Sequence, residues 1–317
     1  MNAIVCRGLL SATKARRASA NARNDIQFMY LTYFGLTDKP FSITPDLRFL
    51  FLTRQYEAAI DALEYSVREH LGFAILTGEV GTGKTTIARA LLNKLGDSVE
   101  TALLVNPLLS IPELLHAINK DFGCGTRILT PQRQIESLNE FLLKKAEENR
   151  SAVVIIDEAQ NLPVESLEMI RMLTNLETDR SKLLQIILIG QPELMKKLNS
   201  YELRQLNQRI TVRATLMPLQ FVEMVRYINH RIALAGGINK VFFDASAHKA
   251  VWRFSHGIPR LVNIICDRTL MAAYVADVAT ISDKIVKKAV ADLGIKSTVN
   301  GWMRKLTEMF GRRSSSL

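Results

Sequence analysis

Two hydrophobic patterns alternate along most of the chain. Apolar residues at helical spacing over about 54–69 are followed by short continuous apolar runs: Phe73-Ala74-Ile75-Leu76, Ala102-Leu103-Leu104-Val105, Val153-Val154-Ile155-Ile156, and the stretches 185–189 and 211–217. Amphipathic segments separate these runs. Runs so short and apolar at successive positions predict strands buried on both faces, and strands alternating with helices predict an α/β domain around a mainly parallel sheet. Past Pro218 the pattern becomes helical only, with helices expected at 221–235, 245–255, 258–276 and 282–293. The turn-rich, aromatic stretch 34–51, with Pro40 and Pro45, is expected to be an irregular segment packed on the core.

Composition adds limits. With 317 residues, 48% of them hydrophobic, the chain has material for a large domain and a smaller one. We divide it into an extension (1–28), the sheet domain (29–218), an all-helical lid domain (219–295) and a tail (296–317). No apolar run approaches the ~18 residues of a membrane-spanning helix. Cys6, Cys124 and Cys266 are far apart and odd in number, which excludes a disulfide framework and suggests a reducing compartment.

The net charge of +10 invites a nucleic-acid reading, but its location weakens that reading. Residues 1–28 hold Arg7, Lys14, Arg16, Arg17 and Arg23 against Asp25, a net +4. Residues 296–317 hold Lys296, Arg304, Lys305, Arg312 and Arg313 against Glu308, again +4, which leaves +2 for everything between. The arginine-rich start reads either as a transit peptide or, as we favour, as a disordered extension upstream of a start at Met29. In the tail, Trp302, Leu306, Met309 and Phe310 share one helical face among basic residues. Such a stretch lies on an anionic membrane surface, packs on the lid, or stays disordered.

The chemistry concentrates at strand ends. Gly78-Glu79-Val80-Gly81-Thr82-Gly83-Lys84-Thr85, followed by Thr86, fits the phosphate-loop pattern at every position and sits between a predicted strand and a predicted helix. Glycines let backbone N–H groups turn toward phosphates, and the next helix presents its positive end. Lys84 is expected on the β- and γ-phosphates of ATP, and Thr85 on Mg²⁺. Asp157 and Glu158 follow the Val153 to Ile156 run. Asp157 is the second expected Mg²⁺ residue, and Glu158 the general base that polarises the attacking water. Gln191, after a third run, either positions that water or caps the following helix.

Two arginines are candidates for charge stabilisation in phosphoryl transfer. Arg209, with Arg204 and Arg213 as rivals, suits an arginine finger reaching a neighbouring subunit. Arg260, at the start of a lid helix, suits contact with the γ-phosphate. Either could instead be a surface ion-pair partner.

In this order the motifs resemble an AAA+ ATPase. Phe34-Gly35-Leu36, Lys39-Pro40-Phe41, Pro45-Asp46, Ile156-Asp157-Glu158-Ala159-Gln160-Asn161-Leu162, Gly190-Gln191-Pro192-Glu193-Leu194 and Gly257-Ile258-Pro259-Arg260 are similar to the general secretion pathway protein A family, the ExeA- and MshM-like ATPases. The resemblance spans roughly 29–294. It implies a parallel sheet in the order 5-1-4-3-2, a helical lid, a homo-oligomeric ring with nucleotide at subunit boundaries, and residues 33–45 near the adenine. It also implies a place on the cytoplasmic face of a bacterial inner membrane, where relatives use ATP to assemble type II secretion, pilus or polysaccharide-export machinery with an envelope partner protein. Longer members continue into a membrane helix and a periplasmic wall-binding region, so direct wall binding is not expected of this chain.

Two competing readings remain. TniB- and IstB-like transposition helpers share much of this core and would make the chain a DNA-directed ATPase, against which the near-neutral body argues. A nucleotide-controlled scaffold that turns over rarely is the other.

Overall fold

The computed structural model describes residues 29–105, 107–124, 130–178, 181–238 and 240–294. The extension and the amphipathic tail lie outside the described residues. The chain divides into two compact units, one running Pro45–Pro218 and the other joining residues up to Thr44 with Leu219 onward.

The first unit is built on a five-stranded parallel sheet: β1 (Phe73–Gly78), β2 (Val99–Leu104), β3 (Ser151–Ile156), β4 (Leu184–Gly190) and β5 (Ile210–Leu216). Their spatial order is β2-β3-β4-β1-β5, the expected 5-1-4-3-2 counted from the other edge. Every residue of β1 and β4 is buried, as central strands covered on both faces require. The edge strands β2 and β5 bury only some positions, with Glu100 and Thr101 of β2 partly exposed and Thr211, Arg213 and Thr215 of β5 exposed.

Helices cover both faces, and their ends carry recognisable stops and starts. Arg54–Arg68 begins at Thr53, whose hydroxyl accepts from the Tyr56 N–H. Ile111–Asp121 opens on a Ser110/Glu113 capping box, and Pro131–Glu147 on a proline at its first position. Leu114, Leu115 and Ile118 from one of these helices and Leu138 and Leu142 from the other join Ala102, Val154, Ile156 and Leu188 of the sheet in one apolar cluster. Because all five strands run the same way, their carboxyl ends share one edge, where open parallel sheets place their ligands.

The second unit contains the helices Phe221–Leu234, Ala245–Ser255, Pro259–Val275 and Asp283–Asp292. It also holds a short parallel pair, β6 (Phe242–Phe243) with β7 (Thr280–Ile281), which corrects the expectation of helices only. Gly257 sets the start of Pro259–Val275. Its φ is +75°, and a Cβ there would stand 2.1 Å from the Leu219 carbonyl oxygen. No L side chain fits that position.

Residues 29–44 belong to this helical unit, whereas the sequence division placed them with the sheet. Tyr30, Phe34 and Phe41 are buried. The Tyr30 hydroxyl donates to Asp267 Oδ1 at 2.9 Å, and Thr37 N–H donates to the Ala235 carbonyl at 2.8 Å. Buried Arg231 donates to the Pro40 and Ser42 carbonyls and to the Tyr227 hydroxyl. The segment is thus a strap tied by polar bonds to two helices, Phe221–Leu234 and Pro259–Val275. Cys266 is buried and Cys124 half-buried, both free; burial pushes both thiols up, Cys124 to about 11.

Candidate functional site

The residues between Gly78 and Thr85 form a tight loop at the end of β1. Gly81 and Gly83 have φ of +82° and +95°, a left-handed backbone that glycine adopts at no steric cost. Thr82 is fully buried, and its hydroxyl donates to the Glu79 carbonyl at 2.8 Å. A Cβ on Gly78 would stand 2.8 Å from the Thr82 hydroxyl oxygen and 2.9 Å from the Leu216 carbonyl oxygen, so the loop packs directly on β5. Helix Lys84–Leu95 starts at the loop's end with no side-chain cap on its first N–H groups. Those groups and the helix dipole favour a phosphate.

Lys84 is 5% exposed, and its Nζ donates to the Gly78 carbonyl at 2.9 Å and the Glu79 carbonyl at 3.0 Å. Burial lowers its pKa, against the opposing pull of Glu158, Asp157, Glu79 and Glu193. A buried ammonium in a cluster of acids is held over the loop as a short, directed cation.

The two acids sit beside it. Asp157 is buried; its Oδ2 accepts from the Thr85 hydroxyl at 2.6 Å and its Oδ1 from the Glu158 N–H at 2.9 Å. Thr85 and Asp157, 72 positions apart, therefore present two hard oxygens side by side. That donor set fits Mg²⁺, which takes one or two protein oxygens and completes its shell with water and substrate phosphate.

Glu158 has φ +55°, a left-handed conformation that costs a non-glycine residue about 1–3 kcal/mol and is typical of functional sites. The turn aims the side chain at Gln191. Glu158 Oε2 accepts from Gln160 Nε2 at 2.6 Å and from Gln191 Nε2 at 3.1 Å. Burial opposes ionisation of this carboxyl, but the two amides and the Lys84 charge outweigh it and hold its pKa below the ordinary value. Gln191 precedes helix Pro192–Leu198 without capping it through its side chain, so the capping alternative is not the one adopted.

Two contributors escaped the sequence reading. Gln160 bridges Glu158 to Gln191 N–H, which donates to its Oε1 at 3.1 Å. Tyr56, buried in helix Arg54–Arg68, donates its hydroxyl to the Thr82 carbonyl at 2.8 Å and so supports the loop from outside the motif. Gln160 lay within a quoted motif; Tyr56 had no local signal.

Lys84, Thr85, Asp157, Glu158 and Gln191 are thus brought together, and the arginines make other contacts or belong to the other unit. Arg209 ends helix Arg204–Arg209, and its Nη1 donates to Asn175 Oδ1 at 2.7 Å, Thr174 Oγ1 at 3.2 Å and the Arg171 carbonyl at 3.3 Å. Of its rivals, Arg204 stacks on the Tyr201 ring and Arg213 is tied to Asn207. Arg260 is exposed near the start of Pro259–Val275 in the helical unit.

Comparison with known proteins agrees with this arrangement. A family model described as an AAA domain matches residues 67–198, from the end of the helix before β1 to the end of the helix after Gln191. General secretion pathway protein A of Aeromonas hydrophila is 42% identical over 252 residues, 78% of this chain and 45% of the relative. The chain therefore spans about half the length of the curated relative it matches.

Among solved structures, Cdc6p of Pyrobaculum aerophilum superposes with a TM-score of 0.63 at 16% identity, covering 81% of this chain and 71% of that one. The Aeropyrum pernix ORC2 protein in its ADP form gives 0.61 at 16%, over 81% and 73%. The Thermotoga maritima RuvB branch migration motor gives 0.51 at 18%, over 81% and 75%. At such identities these likenesses establish the fold. The phosphate loop, the acid pair, the strand order and the 42% identity together place the chain in the AAA+ ATPases, within the general secretion pathway protein A family.

Proposed function

We propose that this chain binds ATP with Mg²⁺ at Lys84, Thr85 and Asp157, hydrolyses it with Glu158 as general base, and uses the cycle to drive assembly of a bacterial envelope machine. One observation carries the reading: the Thr85 hydroxyl bonded to Asp157 at 2.6 Å, beside a Glu158 carboxylate kept ionised by two amides and Lys84.

Residues 78–86 hold the phosphates through backbone N–H groups and Lys84 Nζ. Mg²⁺, when bound, neutralises charge on the phosphate oxygens. Glu158 takes a proton from the attacking water, and Gln191 helps place the carboxylate that does so. Arg209 acts from a neighbouring subunit of a homo-oligomeric ring, its present hydrogen bonds holding the guanidinium in place until assembly. Arg260 answers the γ-phosphate from the lid, and the strap that includes Tyr33 serves the adenine.

The secretion role is taken from the relative's name; pilus biogenesis or polysaccharide export at the cytoplasmic face of the inner membrane extends it on the resemblance of the motifs. No described helix is long and apolar enough to cross a membrane, which suits peripheral attachment through a partner or the basic tail. The near-neutral body speaks against a DNA-directed ATPase.

Turnover measured with and without Mg²⁺ in the wild type and Lys84→Ala tests the core of this reading. We expect Mg²⁺-dependent hydrolysis that Lys84→Ala abolishes. Hydrolysis indifferent to both would overturn it, and salt-sensitive stimulation by DNA would redirect it to the transposition-helper class.

A further inference from the structure

The side chain of Gln160 has its orientation set by a group that can only donate. Gln191 N–H points at Gln160 Oε1 at 3.1 Å, so the amide nitrogen must face the other way, where it donates to Glu158 Oε2 at 2.6 Å. The space for this reach exists because residue 190 is glycine: a Cβ there would stand 2.8 Å from Gln160 Oε1 and 2.8 Å from Leu194 Cδ2. The main chain of Gln160 is tied as well, its carbonyl accepting from Lys197 Nζ at 3.4 Å. Gln191 Nε2 converges on the same Glu158 oxygen at 3.1 Å. Both amide donors therefore load Oε2, and Oε1 is the oxygen left to receive a proton.

We propose that Gln160 is a positioning residue for ATP hydrolysis: its amide clamps Glu158 Oε2, couples the clamp to the Gln191 backbone, and thereby presents Glu158 Oε1 to the attacking water. This rests on Glu158 being the general base. In the step served, a water proton passes to Glu158 Oε1 and the water oxygen bonds to the γ-phosphorus. The bond from that phosphorus to the β–γ bridging oxygen breaks, and its electron pair leaves with ADP. A side chain at 160 must both accept from Gln191 N–H and donate to Glu158. An amide does both; a carboxylate accepts only, and alanine does neither.

The test is the split between kcat and KM for ATP in the full chain carrying Gln160→Glu or Gln160→Ala, with Glu158→Gln as reference. Gln160→Glu keeps an acceptor for Gln191 N–H but turns the clamp into a repulsion. It should lower kcat by about tenfold or more with KM for ATP within about threefold. Gln160→Ala, which adds no charge, should lower kcat in the same way by less, and answers the question if the glutamate variant does not fold.

A kcat within about threefold of the wild type in the folded variants, or a loss that falls on KM with kcat kept, overturns the proposal, because a clamp on the base acts in the chemical step. If Glu158→Gln turns over like the wild type, the general-base reading falls and this inference with it. If Glu158→Gln is inactive and the Gln160 variants keep the wild-type kcat, only the role of Gln160 is lost.

Discussion

At the scale of single residues, the electrostatics of Glu158 give a signed expectation. A general base works deprotonated, so turnover is lost as pH falls through its folded pKa. With Gln160, Gln191 and Lys84 overcoming the effect of burial, that pKa lies below the ordinary 4.5. The acid limb of kcat/KM, which reports the free enzyme, should therefore lie below 4.5 wherever the protein stays folded, and a limb near neutrality would show another group in control. Tyr56 gives a second expectation. Tyr56→Phe removes one hydrogen bond to the loop, worth about 0.5–1.5 kcal/mol, and should weaken ATP binding by roughly three- to tenfold in a nucleotide titration.

Lys84, Thr85, Asp157 and Glu158 were legible in the sequence because each sits at a fixed offset from a recognisable strand. Tyr56 and Gln160 were not: the partner of Tyr56 lies 26 positions away, the link from Gln160 to Gln191 spans 31, and a phenol or an amide carries no periodic signal.

At the scale of elements, the central strands were read to within two residues at either end, since burial on both faces leaves an unbroken apolar run. Edge strand β2 was read late, from Ala102 rather than Val99, because Glu100 and Thr101 face partly outward and interrupt the run. The β6 and β7 pair was missed, because two residues cannot show a period and their pairing is long-range.

The strap at 29–44 was recognised as packed, but nothing local says which core it joins. Tyr30→Ala tests its attachment: it empties a fully buried site and strips Asp267 of its donor, at a cost of about 3–5 kcal/mol. Hydrogen exchange should then lose protection in helix Pro259–Val275, which carries Asp267, rather than in β1 or β4. Gly257→Ala should likewise destabilise the helical unit by about 2 kcal/mol or more in thermal unfolding, since the new Cβ meets the Leu219 carbonyl oxygen.

At the scale of the whole molecule, the family follows from motifs, fold and the 42% identity together, whereas the envelope machine we propose for it leaves no mark on the chemistry of the site. Partner surfaces carry no fixed spacing, so the pathway enters through the relative alone. The ring is testable on the protein itself. If Arg209 completes a neighbour's site, specific activity should rise with protein concentration, and Arg209→Ala should cost about 10³-fold or more in kcat with ATP affinity little changed. A flat concentration dependence with an active Arg209→Ala would leave Arg209 as the structural tether its bonds to Thr174 and Asn175 already make it.

The central claim, that this chain turns over ATP by way of Glu158, is tested most directly by measuring binding and hydrolysis of MgATP side by side in the wild type and Glu158→Gln. The account predicts that the variant binds ATP within a few-fold of the wild type while kcat falls by about 10²- to 10⁴-fold. Hydrolysis by Glu158→Gln at the wild-type rate would contradict it.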